Sequence, residues 1–366
     1  MSSSSPFLTA LAITFFSALA FHPLSDYVFN NPVQFGIVDT REQLSKISQY
    51  LQSGRDSNVL FLGSSLVLRP AISCDSTPDW AKKPGIIPSK LQFIYHYDKA
   101  DYFRRMLDNA CHGDFTVYNL GVPDASVSDD CLLLDAAIKS GKHPKLVICG
   151  IAPRDFLASD QPDPDNTAIH EAVTHLNENE RLSGSFTDQF FKFQRVLQRD
   201  LGLFRAIATS YRPPQIGHAP NRRGTRAKVG NDLADLGLYQ KRYNPPNMRA
   251  FPLQVHSLEK LLQVAHAHNV TVILVSMPLT RENLSLLNPQ ALLEYKKSVD
   301  TVARSNHVVY VDLEQNSGYD RDDFWDSVHL NARGGGKFYR QLTAAIVSHP
   351  TLVSSLPTHK QLPTTY

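Results

Sequence analysis

The 366-residue chain has no excess of charge of either sign: 37 lysines and arginines stand against 35 aspartates and glutamates. Such a balance of net charge argues against a nucleic-acid partner. The chain also lacks any Cys-x-x-Cys pair. Its four cysteines, Cys74, Cys111, Cys131 and Cys149, stand beside no spaced pair of histidines, which argues against a zinc site. No metal and no other cofactor is expected. Cys149 sits in an apolar run and reads as a small core residue. Cys111 and Cys131 are open to pairing if the domain is exported, and their spacing leaves that undecided. A glycine-rich phosphate loop is missing too. Gly334-Gly335-Gly336 opens a helical stretch but follows no strand, which removes a Rossmann-like nucleotide-binding module. No internal repeat is present. With 42% hydrophobic and 20% charged residues, the composition excludes both a disordered chain and a multi-span membrane protein.

Charge is absent before Asp26, and Phe7 to Phe21 are almost all apolar or small. That run is short for a spanning helix, which needs about 20 residues. Counting from Pro6 to Leu24 makes it barely long enough. It contains Ala18-Leu19-Ala20, an Ala-x-Ala cleavage pattern, but no lysine or arginine precedes it. Residues 1–30 therefore read as a signal peptide or an uncleaved membrane anchor, set against a buried helix. Either export reading places the rest of the chain outside the cytoplasm, secreted or anchored, with the membrane as a partner through this segment.

What is present after that is a strand–helix alternation. Apolar runs predict strands over 58–62, 115–119, 145–150, 270–275 and 307–311. Helical spacing predicts helices over about 40–51, 99–111, 126–140, 252–268, 289–305 and 332–348. This rhythm implies parallel pairing through crossover helices. The expected fold class is α/β, a three-layer sandwich around a five-stranded parallel sheet of flavodoxin-like type. A single domain over 31–350 is expected, with an insert at about 151–250 and a loose tail over 351–366. The insert carries helical candidates near 166–181 and 188–210. Then comes a basic stretch, 212–230, with Arg212, Arg222, Arg223, Arg226 and Lys228 and no acidic residue. It reads as a solvated loop or as a landing strip for an anionic polymer or lipid headgroups. The irregular stretch 70–97 reads as a wall of the pocket or a packed surface loop.

In a parallel sheet, ligands sit beyond the carboxyl ends of the strands. Four polar features fall there: Gly63-Ser64-Ser65, Asn119-Leu120-Gly121, Gly150-Ile151-Ala152-Pro153-Arg154-Asp155, and Asp326-Ser327-Val328-His329. A serine hydroxyl is a weak nucleophile until a base takes its proton. A histidine oriented by a carboxylate is such a base. Ser65, His329 and Asp326 are therefore the catalytic candidates.

This layout resembles the SGNH hydrolases, also called GDSL-type esterases. Gly63-Ser64-Ser65-Leu66 matches the family's Gly-Asp-Ser-Leu block, and Asp326 and His329 match its Asp-x-x-His block. Gly121 matches the block that supplies a glycine N–H. The resemblance spans about Asn58 to Ser348. It implies a serine esterase or O-acyltransferase that works through an acyl-enzyme, with oxyanion donors from the backbone of Ser65 and Gly121. One block departs: Ala152 stands where the family has an oxyanion-binding asparagine. Arg154, two residues on, is the candidate replacement, with a local ion pair to Asp155 as the alternative. An N-terminal anchor with Gly-Ser-Ser is similar to the envelope branch, which moves D-alanyl or acetyl groups on cell-wall polymers. The implied partner is an acylated carbohydrate or another ester. A non-catalytic relative that binds acylated polymer or a partner acyltransferase is the rival reading.

Overall fold

A computed structural model describes residues 40–54, 56–75, 96–160, 164, 167, 169–170, 173–174, 233, 235–314 and 318–356. The chain opens with helix α1 (Thr40–Gln52), strand β1 (Val59–Gly63) and helix α2 (Ser65–Asp75). Next come α3 (Asp101–Cys111), β2 (Val117–Asn119), α4 (Val127–Lys139), β3 (Leu146–Ile151) and the single turn α5 (Arg154–Leu157). After residue 235 the order is α6 (Leu236–Tyr243), α7 (Phe251–Ala267), β4 (Thr271–Ser276), α8 (Arg281–Leu284), α9 (Pro289–Ser305) and β5 (Val309–Asp312). A 3-10 turn (Arg321–Asp323), α10 (Ala332–Ser348) and α11 (Pro350–Ser355) complete it.

The strands form one parallel sheet in the order β2-β1-β3-β4-β5. β1 and β3 are buried along their whole length, which is why they read in sequence as continuous apolar runs. The helices flank the sheet in two groups. In one, α10 packs on α2 and α3; in the other, α7 packs on α4, α5 and α9. This order reverses direction between β1 and β3, and a crevice opens at the carboxyl ends of strands at such a switch point. Gly63 pairs with Gly150 across that point.

The strands lie within two residues of their expected bounds. The helix α2 was not expected, because Pro70 lies inside it. Proline costs an interior helical hydrogen bond. Here the apolar face offsets that cost, since Leu66, Val67, Leu68, Ala71 and Ile72 are all buried. Of the three glycines that open α10, Gly335 serves close packing against α2. A Cβ on Gly335 would lie 2.7 Å from Cys74 Sγ and 3.2 Å from the Pro70 carbonyl oxygen of α2.

The tail expected to be loose from 351 is instead helical through Ser355, because Leu352 and Leu356 are buried against the core. All four cysteines are free thiols, so Cys111 and Cys131 are not paired. Among the described residues, no helix is long and apolar enough to cross a membrane. The expected N-terminal anchor, most of the wall at 70–97, most of the helical candidate at 166–181, and the whole of that at 188–210 and of the basic stretch at 212–230 lie outside the described residues.

Gly63 has φ +135, and a Cβ there would lie 2.6 Å from the Gly150 carbonyl oxygen. Gly63→Ala therefore combines backbone strain with a clash against a fixed strand. It should lower the unfolding free energy by roughly 2–4 kcal/mol, read as a lower urea midpoint at unchanged m-value.

Candidate active site

β1 runs straight into the switch point and stops at Gly63, and Ser65 begins α2. Ser64 is fully buried, whereas Ser65 is half-buried and turned toward the far end of the chain. Its Oγ lies 2.9 Å from His329 Nε2, although the two residues are 264 apart in sequence. His329 Nδ1 in turn lies 2.7 Å from Asp326 Oδ2. The structure thus brings together the three residues expected to form the triad.

The Asp326–His329 pairing is built locally. Asp326 Oδ1 accepts the backbone N–H groups of Val328 at 3.0 Å and His329 at 2.8 Å. An aspartate that folds back onto its own turn in this way fixes the turn's shape and leaves its second oxygen for the ring. Arg321 Nη1 donates to the Asp326 carbonyl oxygen at 2.6 Å. Trp325 N–H donates to the His329 carbonyl oxygen at 2.8 Å. Burial works to raise the Asp326 pKa. The charge and ring hydrogen bond of His329, with the two backbone donors, outweigh burial and hold it at about 2. Asp326 thus remains a carboxylate through the pH range in which a histidine can act as a base.

The oxyanion donors are placed differently from expectation. Gly121 N–H donates to Asn119 Oδ1 at 3.0 Å, so this N–H is engaged and is not presented to a reacting carbonyl. Asn119 Nδ2 donates to the Val67 carbonyl oxygen at 3.2 Å. Gly121 is glycine for another reason: a Cβ there would lie 2.5 Å from Val67 Cγ2. Its own carbonyl oxygen accepts from the buried Lys46 Nζ at 2.7 Å. Burial lowers the pKa of that lysine to about 7, with Asp98 pulling the other way.

Arg154 is also committed elsewhere. Its Nη1 bonds Asp124 Oδ1 at 2.7 Å, and its Nη2 bonds Asp155 Oδ1 at 2.9 Å and the Ala125 carbonyl oxygen at 3.2 Å. This is the ion-pair alternative rather than an oxyanion donor. Burial tends to lower the pKa of Arg154, but the carboxylates of Asp155 and Asp124 outweigh it and keep the group charged. Burial pushes Asp155 up to about 6 against the pull of Arg154. It drives the neighbouring Asp130 well above the usual carboxylate range, with Asp155 and Asp129 adding to the effect.

The residue missed in the sequence is Asp124. It has φ +61 and lies in the turn 122–125, which is bonded to β1 through Val122 N–H and the Gly63 carbonyl oxygen at 2.9 Å. Its exposed carboxylate joins Arg154 and Arg242. The available signal was Pro123-Asp124, since aspartate after proline marks turns and tolerates left-handed backbone. Among the described residues, the N–H groups of Ser65 and Asp124 have no acceptor. Tyr239 of α6 is buried, and the Arg242 guanidinium carbon lies 5.9 Å from the centre of its ring.

No family profile matches the chain, and no curated protein matches it. Solved structures do. Those it is similar to include TesA, an acetylxylan esterase and a protein of the G-D-S-L family. TesA is 12% identical, covering 80% of this chain and 98% of that one, at a TM-score of 0.37. Axe2, an acetylxylan esterase from Geobacillus stearothermophilus, is 12% identical over 81% and 97%, at a TM-score of 0.39. A G-D-S-L-family protein from Desulfitobacterium hafniense DCB-2 is 11% identical over 80% and 99%, at a TM-score of 0.35.

Two outcomes follow from the electrostatics. Removing Arg154 leaves Asp155 buried without its cation. Arg154→Ala should lower the unfolding free energy by about 3–5 kcal/mol, visible as a clear fall in melting temperature. Asp326 has a folded pKa of about 2, below the usual aspartate value, so its contribution to stability is present above the unfolded value and is lost as pH falls toward 2. In urea titrations from pH 5 down to pH 2, Asp326→Asn should show a shallower loss of stability than the unaltered protein. Equal slopes would mean that Asp326 is not held by His329 in solution.

Proposed function

We propose that this chain is a serine hydrolase acting on acyl esters, with acyl transfer to a sugar hydroxyl as a variant of the same chemistry. One observation carries the reading: an unbroken hydrogen-bond line from Ser65 Oγ to His329 Nε2 at 2.9 Å and from Nδ1 to Asp326 Oδ2 at 2.7 Å. In the first step Ser65 Oγ attacks the ester carbonyl while His329 Nε2 takes its proton. The tetrahedral intermediate collapses and expels the alcohol, which takes that proton from His329. The acyl-enzyme is then released by water or a second hydroxyl, activated by the same nitrogen. Asp326 holds the ring's tautomer and balances the imidazolium charge.

The oxyanion would be met by the backbone N–H of Ser65, at the positive end of α2, and by the N–H of Asp124. The Asp124 carboxylate is neutralised by Arg154 and Arg242, which removes its repulsion toward a developing oxyanion. Arg242 joins Asp124 to the exposed Asp160, so the surface beside Asp124 is polar and charged. A surface of this kind suits a hydroxyl-rich leaving group, which favours an acylated carbohydrate. We also infer that residues 1–30 tie the protein to a membrane, since that segment carries one charge, Asp26. Full-length protein should then pellet with membranes in a bacterial host, and a chain starting at Asn31 should stay in the supernatant.

The test of the active site uses a fluorophosphonate probe and a p-nitrophenyl ester. The probe should label Ser65 alone, and Ser65→Ala should abolish both labelling and turnover. His329→Ala should cost nearly as much, and Asp326→Ala somewhat less. The Ser65→Ala/His329→Ala double variant should be hardly worse than either single change, because the residues act as a unit. Ser64→Ala should keep most activity. A wild-type protein that neither reacts with the probe nor turns over esters would make the chain a binding protein for acylated polymer instead.

A further inference from the structure

Ser327 lies between Asp326 and His329, is fully buried, and has every polar atom engaged by residues outside its own turn. Its hydroxyl donates to Asp235 Oδ2 at 2.5 Å, and its N–H donates to the same oxygen at 3.1 Å. The hydroxyl accepts from Asn283 Nδ2 at 2.9 Å. Its carbonyl oxygen accepts from Thr280 twice, from the N–H at 3.1 Å and from Oγ1 at 2.8 Å. Asn283 is itself fully buried, and its Oδ1 accepts from Tyr243 of α6 at 3.2 Å.

The bonds that Asp326 makes to Val328 and His329 settle the shape of the turn but not where the turn sits over the sheet. That placement needs contacts to other elements. Asp235 is the one charged group in the set, and a hydroxyl-to-carboxylate bond of this length is of the strong, charge-assisted kind. It stands immediately before α6, so it joins that helix to the histidine turn. We propose that Asp235 is a positioning residue: through Ser327 it sets the seat of the Asp326–His329 turn, and so the distance from His329 Nε2 to Ser65 Oγ. A misplacement of about 1 Å at a reacting group can cost about 10²-fold in rate.

The inference rests on the serine-hydrolase reading, and the experiment separates the two. It uses the full chain, with kcat, KM and the rate of fluorophosphonate labelling expressed per titrated active site. Asp235→Ala should lower kcat and the labelling rate by about 10- to 10²-fold while KM stays within about twofold. Asp235→Asn keeps an oxygen that can accept both Ser327 bonds, so it should recover most of that loss. A structural role alone would lower the number of titrated sites and the melting temperature but leave the rate per site unchanged. If Asp235→Ala does not fold, Ser327→Ala decides. It removes the 2.5 Å bond and should slow labelling per site, and an unchanged rate would overturn the proposal. Wild-type rates per site in folded Asp235→Ala would overturn it too, with the hydrolase reading intact. A wild-type protein that the probe does not label would overturn both.

Discussion

Val67 is the side chain on which the arrangement of the site depends. It lies on the first turn of α2, two residues after Ser65, and is fully buried. Three glycines surround it: Gly63 ends β1, Gly121 follows β2 and Gly150 lies in β3. A Cβ would meet its methyl groups at 3.1 Å from Gly63, 2.5 Å from Gly121 and 2.2 Å from Gly150. Interiors pack at crystal-like density, so no slack exists to absorb an added methyl group there. The ends of β1 and β3 and the turn after β2 can approach α2 this closely only because none of them has a side chain at the point of contact. The position of Ser65 relative to them follows from that approach.

The histidine turn is held on two levels. Locally, Asp326 satisfies the turn's backbone with one oxygen and the imidazole with the other. From outside, Arg321 and Thr280 bind its carbonyl oxygens, and Asp235 and Asn283 bind Ser327. A separate charge group joins the buried Arg154 and Asp155 to the exposed Asp124. Within it Arg154 opposes the burial that raises the pKa of Asp155.

Much of this could be read from residue order. The fully buried strands appear as Val59-Leu60-Phe61-Leu62 and Leu146-Val147-Ile148-Cys149, apolar without alternation, as parallel strands covered on both faces must be. The Asp326–His329 spacing was legible because its bond spans only three residues. α2 was obscured by Pro70, whose local penalty is offset by burial that sequence does not display. α11 was obscured because Leu352 and Leu356 count for little until a core is there to receive them. Gly121 and Arg154 were located correctly along the chain but given the wrong task. A glycine can be required for its N–H or for its missing Cβ, and an arginine beside a site can serve substrate or structure.

The amino-acid sequence by itself determined the parallel α/β alternation, the polar residues that end its strands, and the carboxylate that turns back on its own histidine. All of these depend on neighbours a few residues apart. Only the tertiary structure decided that Ser65 meets His329, that Gly121 N–H is taken by Asn119, that Arg154 is bound to Asp124 and Asp155, and that Asp235 reaches Ser327. The physical reason is the same for each. These outcomes turn on which donor reaches which acceptor first. For the long-range contacts, packing around Val67 and the strand order β2-β1-β3-β4-β5 decide that, and chain proximity does not.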